Sequence, residues 1–549
     1  MKIRRYLFLV SFLVLSAATV ILVSACKKFT HPLDNLQLII DYNIIKTTTD
    51  IHVYDVSTGL LLNSTVSNDA FVMVSGRDEA AVVDPMGVKI PDNRLKLVKG
   101  ITTLGLLPSA AYTPSATNMI SFNLVVSAPG YLTTTQQVNI SSVGKNFVNV
   151  NLVPLSSPPS GVTVGQQTGL TSAQNGTVTQ SAQLVLPNDK ASINIPSGIL
   201  MRDNNGNPLS GDINVTVVHF DNTDPAAMQS FPGGLTPTVE RANGNSESGM
   251  FYSAGFVAIE ITDGQGRRAS NFENGTVQLV SQVSPETYNP ITQTNIVAGD
   301  QVPLWSLNEN NGVWKEEGMA VAQLVDGNLQ FDVQLTHLSY YNFDWFVGSM
   351  CAQGRPFVFN TNSPVNGSFL IKGHVYRQDD NTFINTILLW VKANEPVLTT
   401  FVPQGIPVKI FWDTQNSPFI SLAPNEPQPT LIDNLCGSAP IPIQLFVNNN
   451  QGLTTINLSL SLFCASQPDA VIKPTYSAYC QNVNGGPVIP IEMIAGEASI
   501  NGIRLGDTYY VWVIYDGQEY GAEVVVTQDA YSLIDFEIPA DVCSEVFGM

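Results

Sequence analysis

The residue with the most specific chemistry in this sequence is Cys26. Three positive charges (Lys2, Arg4, Arg5) and an uncharged run from Tyr6 to Ala25, rich in Leu, Val, Phe and Ile, lead up to it. A basic start, an apolar stretch and small residues at its end describe a secretion signal. The small pair Ser24-Ala25 would let a peptidase approach the backbone, and the thiol directly after it is a nucleophilic acceptor. The run is also long enough to cross a bilayer as a helix, so a retained anchor is the competing reading. The other five cysteines, Cys351, Cys436, Cys464, Cys480 and Cys543, all lie in the C-terminal part of the chain. None is spaced as CxxC, which removes zinc ribbons and redox pairs. In an oxidising compartment they are candidates for one or two disulfides, with an odd thiol left free or paired between chains.

Elsewhere the chemistry-bearing residues are dispersed. The five histidines, His31, His52, His219, His337 and His374, form no HxH or HExxH pattern, so an imidazole-based metal site is not expected. There is no GxSxG elbow, P-loop or dinucleotide fingerprint. The acidic pairs Asp379-Asp380 and Glu316-Glu317 have the groups that glycoside hydrolysis needs, but nothing sets them across a bond, and solvated turns account for them better. Asp203, Asn205 and Asn207, with Asp212 nearby, alternate as oxygen ligands do in some calcium loops. The Gly and terminal Glu of an EF-hand are missing, which favours an Asn-Gly hairpin. Trp390, Trp412 and Trp512 lie in apolar alternating runs and are expected in cores rather than on sugar platforms. No catalytic residue, metal or cofactor is therefore assigned.

Val23-Ser24-Ala25-Cys26 resembles the bacterial lipobox, in which a large aliphatic and two small residues precede an invariant Cys. The resemblance implies cleavage between Ala25 and Cys26, a diacylglyceryl group on the Cys26 thiol and acylation of the new amine. Two or more acyl chains hold a protein stably on a membrane, each buried methylene contributing about 0.8 kcal/mol. Lys27 rather than Asp after the Cys implies the outer membrane in Gram-negative sorting, and no acidic cluster follows as in surface-export signals of some Bacteroidota lipoproteins. Both the cell surface and the periplasmic face stay open.

At 549 residues the chain exceeds one hydrophobic core, and three or four domains are expected. Hydrophobic residues make up 44% and charged residues 13%, so Ser, Thr, Asn and Gln cover the surface, and the remainder of the chain is expected to be soluble. Loss of the three signal cations takes the formal net charge from −20 to −23, which repels phosphate backbones and argues against a nucleic-acid partner.

Strand alternation is nearly everywhere, as in Ile120, Phe122, Leu124 and Val126 or Ile213, Val215 and Val217, with turns such as 204–208, Asp263-Gly264 and Asp516-Gly517 between. The expected fold is all-β, several β-sandwiches in series after the signal peptide. The segments are a signal at 1–25, a lipidated tether at 26–33 and a sandwich at 34–155. A Ser/Pro/Gly/Thr-rich linker at 156–180 and a β-rich module at 181–347 follow. The last region is 354–549, with a split near 481 at Gly485-Gly486-Pro487.

Ser127-Ala128-Pro129-Gly130-Tyr131-Leu132, followed by Val138 to Ile140 and Val148 to Leu152, resembles the end of carboxypeptidase-regulatory-like domains, which are small transthyretin-like sandwiches. Ser368 to Tyr376 resembles the opening strand of another. Residues 181–347 resemble a module shared by the cartilage intermediate layer protein and many Bacteroidota lipoproteins. The clearest segments are Pro303 to Asn308, Gly312 to Gly318 and Thr336 to Asn342. That family is extracellular and structural, and the resemblance transfers no catalytic residue. Trp305 and Trp314 flank Asn-Glu-Asn-Asn-Gly and describe a hairpin whose arms each supply a core indole, and His337 is expected to order a turn.

The sequence thus reads as a non-enzymatic, membrane-anchored envelope lipoprotein for binding, adhesion or scaffolding, its partners the membrane and glycans or envelope proteins. A glycan-processing or other hydrolase component with dispersed catalytic residues is the alternative.

Overall fold

A half-buried strand needs alternating apolar and polar side chains. Along Ile441–Val447 every odd-numbered residue is buried and every even-numbered one exposed. The same logic recurs in strand after strand of the protein, seen here as a computed structural model. It describes residues 38–538 apart from 43–44, 86, 310, 449–451, 465–466 and 516–517. The architecture is all-β, and the main sheets pair into four sandwiches. Among the described residues no helix is long and apolar enough to cross a membrane.

The first sandwich sets the sheet Gly144–Leu152, Thr47–Asp55, Ile101–Leu106 and Val82–Val83 against the sheet Arg94–Lys96, Phe71–Ser75, Ile120–Ser127 and Thr134–Ile140. Ile51, Val53, Val72, Leu104, Phe122 and Leu124 fill the space between them. Pro129-Gly130-Tyr131 forms the turn into Thr134–Ile140, where the Tyr131 amide donates to the Ala128 carbonyl at 3.2 Å. Gly130 has φ +80°, a conformation that favours glycine.

The second sandwich pairs an eight-stranded sheet, centred on Met250–Asp263, with a five-stranded sheet containing Val277–Gln282. The third pairs a sheet around Ser349–Thr361 with one around Ser368–Arg377, and its core is continuous with that of the second. Cys351 and Cys436 form a disulfide in the third sandwich. The fourth carries Leu453–Cys464 in one sheet and Thr508–Tyr515 in the other.

Three boundaries differ from those expected. The segment 156–180 is not a linker: Val162–Ser172 is the edge strand of the eight-stranded sheet, antiparallel to Gly211–Phe220. It reads as polar because much of it is only partly covered, Val162, Leu170 and Ser172 being its buried residues. The last split falls between Val447 and Leu453 instead of near 481, and Gly485-Gly486 sits in a hairpin joining Tyr476–Asn482 to Ile489–Met493. Leu38–Tyr42, expected in the first sandwich, instead pairs in parallel with Gln467–Pro474 of the fourth.

Trp305 and Trp314 lie on the adjacent strands Gln301–Asn308 and Val313–Val321, both completely buried. They do not fill the space between the sheets. Alternation along Gln301–Asn308 places Leu304 in the inter-sheet core and Trp305 on the opposite face of the eight-stranded sheet, and a bulge at Glu317 on the partner strand puts Trp314 on the Trp305 face and Ala320 in the inter-sheet core. There a short helix, Pro225–Gln229, and the chain after it cover both indoles with Phe231, Leu235 and Phe251. Gly233 lies so close that a Cβ would stand 2.9 Å from the Trp314 Nε1, and the Trp305 Nε1 donates to the Asp344 carbonyl at 2.8 Å. Truncating Trp314 to Ala is expected to cost about 3–5 kcal/mol, as aromatic deletions in cores do. Chemical denaturation of the two proteins measures it, and equal midpoints and slopes would refute this packing.

Candidate binding cleft

Parallel pairing of Gly144–Leu152 with Thr47–Asp55 puts Phe147 opposite Asp50, and Lys145 lies two residues before Phe147 on the same face. The Lys145 Nζ sits 2.9 Å from the Asp50 Oδ2, with side-chain exposures of 1% and 0%. It also donates to the Ser477 Oγ of the fourth sandwich at 2.8 Å, and its charge lies 5.4 Å from the centre of the Phe147 ring and 5.9 Å from that of Trp390 in the third. The Thr103 hydroxyl donates to the Asp50 Oδ1 at 3.0 Å, so the Tyr479 hydroxyl, 2.8 Å away, must donate to Thr103. Three sandwiches therefore meet on one buried ion pair. His52 lies beside it, and burial pushes its pKa down to about 4, so the ring is neutral at physiological pH. Removing one member of such a pair strands the other charge. Lys145→Met is expected to cost about 3–5 kcal/mol in chemical denaturation, with much of the loss recovered in a Lys145→Met, Asp50→Leu double variant.

Next to this pair lies a cleft of about 510 Å³. Its walls are edge strands: Thr134–Ile140 and Gly144–Leu152 from the first sandwich, Phe383–Lys392 and Pro396–Gln404 from the third. The chain from Met228 to Thr236 of the second lines the end where the Asn151 amide donates to the Gln229 carbonyl at 2.7 Å. At the other end Phe147 and Trp390 pack with centroids 5.6 Å apart. The edges are tied where they meet: Thr400 Oγ1 donates to the Asn139 carbonyl at 3.1 Å, and Gln353 Nε2 to the Ser141 carbonyl at 2.7 Å. Amide and hydroxyl side chains supply the polar part of a lining that also holds many apolar residues, and its single charged side chain is Lys145, already paired.

Trp390 is thus half-buried at a domain junction, its Nε1 donating to the Glu492 Oε2 at 2.7 Å, and is not a sandwich-core residue. Trp412 is in the core of the third sandwich. Trp512 is buried between the first and fourth, where Lys99 lies 4.7 Å from its ring centre.

The other candidate groups are not brought together. Glu317 is bonded by His337 at 3.2 Å and Ser306 at 2.7 Å, and those bonds hold its carboxyl below the usual range. His337 also anchors its turn, its carbonyl accepting from the Tyr341 hydroxyl at 2.6 Å. Glu316 faces Arg241, and Asp379 and Asp380 both face Arg377. The Asp203 carboxylate accepts from the amides of Asn205 and Asn207 at 2.9 and 2.8 Å, which accounts for the calcium-like spacing as a hairpin. Asp263 repeats the device with Gln265 and Arg267. Among the described residues no group of three or more His, Cys, Asp or Glu is placed to hold a metal. Cys464 is disulfide-bonded. Cys480, included among the disulfide candidates, is instead a free thiol in the core of the fourth sandwich, where burial raises its pKa to about 12. Ala25, Cys26, His31 and Cys543 lie outside the described residues, as does the Asp516-Gly517 turn.

Sequence reasoning missed Asp344. Alternation within Tyr340–Val347 suggests that Asn342 and Asp344 face water, yet both are fully buried. Burial raises the Asp344 pKa to about 8, opposed by bonds from Ser253, Asn342 and the Ala254 amide and by the charge of Arg377. The folded state therefore keeps a proton that the unfolded chain loses near pH 4. Stability from this group is present below that pH and is lost as pH rises towards 8. Asp344→Asn is expected to gain stability relative to wild type steadily between pH 4 and 8, measured by denaturation at each pH. A difference independent of pH would refute the assignment.

No family model matches the sequence, and no curated protein matches it. Among solved structures, the chain is similar to the Bacillus anthracis TIE protein at 10% identity, over 68% of this chain and 58% of that one, with a TM-score of 0.14. It therefore spans less than two thirds of that protein's length. The full-length RrgB pilus protein of Streptococcus pneumoniae is 8% identical over 90% and 98% of the two chains, with a TM-score of 0.14. A mutant of the shaft pilin spaA of Lactobacillus rhamnosus GG is 9% identical over 34% and 97%, with a TM-score of 0.17. Scores this low transfer nothing about a site.

Proposed function

We propose that this protein is a lipid-anchored, non-enzymatic component of a bacterial outer membrane that binds or scaffolds through the cleft between its sandwiches. The observation that carries this reading is the chemistry of that cleft. Amides, hydroxyls and apolar groups line it, and its one charge is neutralised by Asp50. Such groups recognise a ligand, but they offer neither the paired carboxylates nor the activated nucleophile that hydrolysis requires.

Val23-Ser24-Ala25-Cys26 supports the anchor. The tether from Cys26 to Leu38 would reach roughly 40 Å when extended, at about 3.3–3.6 Å per residue. It would enter the fourth sandwich, through the parallel pairing of Leu38–Tyr42, and hold that sandwich towards the bilayer.

Expressed with its native leader, the wild type is expected to fractionate with membranes and to incorporate labelled fatty acid, and Cys26→Ser to do neither. Label retained by Cys26→Ser would refute the anchor. Reproducible turnover of a glycan, ester or peptide by the purified ectodomain, abolished by one Asp, Glu or Ser substitution, would replace the binding reading with a hydrolase.

A further inference from the structure

We propose that the ligand of the three-sandwich cleft is a neutral oligosaccharide, an inference that rests on the binding reading above and specifies its ligand class. The first ground is charge. The chain as a whole carries a formal charge of −20, yet the cleft's single ionisable side chain is Lys145, and its ammonium is matched by Asp50 at 2.9 Å and Ser477 at 2.8 Å. A phosphorylated, sulfated or carboxylated ligand would find no free cation there, and a cationic one no free carboxylate.

The second ground is the type of polar group present. A sugar hydroxyl both donates and accepts, and so does a side-chain amide through its two ends. Gln136, Asn139, Asn146, Asn149 and Asn385 line the cleft together with Thr386 and Thr399.

The third ground is shape. A volume of about 510 Å³ falls within the roughly 300–1,000 Å³ of small-molecule sites. The Phe147 and Trp390 rings at one end offer an apolar surface for the C–H face of a pyranose, while the amides of the first sandwich face its hydroxyls. An extended peptide would need free strand edges. Here the meeting edges are partly tied to each other, the Asn139 and Ser141 carbonyls accepting bonds from Thr400 and Gln353. Recognition therefore falls to side chains.

The test is calorimetry of the purified ectodomain with neutral oligosaccharides of two to six hexose or N-acetylhexosamine units, against oligogalacturonate and mixed tripeptides as controls. Saturable binding of a neutral oligosaccharide and none of oligogalacturonate is expected. The Asn149→Ala, Asn385→Ala variant should lose about tenfold or more in affinity with an unchanged melting temperature. A Trp390→Phe variant, which keeps an aromatic surface, should bind more nearly as wild type does. Failure of every neutral oligosaccharide to bind, preferential binding of the tripeptides, or equal affinity in the double variant would overturn the proposal. If the double variant still matches wild type in adhesion to envelope extracts, the cleft assignment fails and binding has to be placed on another surface of the protein. If the bound oligosaccharide is instead cleaved, and cleavage is lost in the variant, the cleft's ligand class stands and the non-enzymatic reading fails.

Discussion

A lysine ammonium and an aspartate carboxylate that meet away from water must satisfy each other almost completely, because each charge has given up its hydration. Lys145 and Asp50 lie 2.9 Å apart as an ion pair, with further partners from three directions: Thr103 from the first sandwich, Ser477 from the fourth and the Trp390 ring from the third. The bonds have narrow geometric tolerance, so the pair fixes how the three sandwiches face one another. Its contribution is better understood as specificity than as net stability, since a well-packed apolar replacement can be equally stable. Around it the junction is finished by ordinary packing, with Val98, Ile101, Tyr479 and Trp512 between the first and fourth sandwiches.

The same junction resolves the exposed-edge problem of β-sheets. An unpaired edge strand invites association with any other strand. The first and third sandwiches turn edges towards each other and join them by side chain to backbone bonds. What remains between the edges is the cleft, an uncharged space in a strongly acidic protein. Its lining follows from its walls: outward-facing residues of edge strands are polar, and the interior position removes the need for charge.

Closure of the chain on itself adds a further constraint. Leu38–Tyr42 completes a sheet whose other strands come from the far end of the sequence. Loop closure over such a separation has an entropic cost, so this edge strand joins more readily once the sandwiches between are folded. A tether entering through this strand would load the last sandwich before the others.

Much of the local structure was legible from the residues themselves. Period-two alternation identified strands such as Ile120–Ser127 and Gly211–Phe220, and the turn residues of Asp203 to Asn207 and Asp263-Gly264 marked hairpins, because both signals depend on neighbours in sequence. The two tryptophans of the 305–314 hairpin read as buried, since their size and flanking pattern leave little else for them to do. The face they pack against did not, because it is buried only by the distant segment around Phe231 and Leu235. Edge positions were equally hidden: Val162–Ser172 looks like a linker until its partner strand is known. Asn342 and Asp344 have the alternation of a solvated face and are buried all the same, with Ser253, Ala254 and Arg377, all distant in sequence, acting on Asp344. Trp390 has the pattern of a core residue and stands instead beside the cleft. Alternation shows that a strand has two faces. What covers each face depends on contacts between residues hundreds of positions apart, and only the tertiary structure decides those.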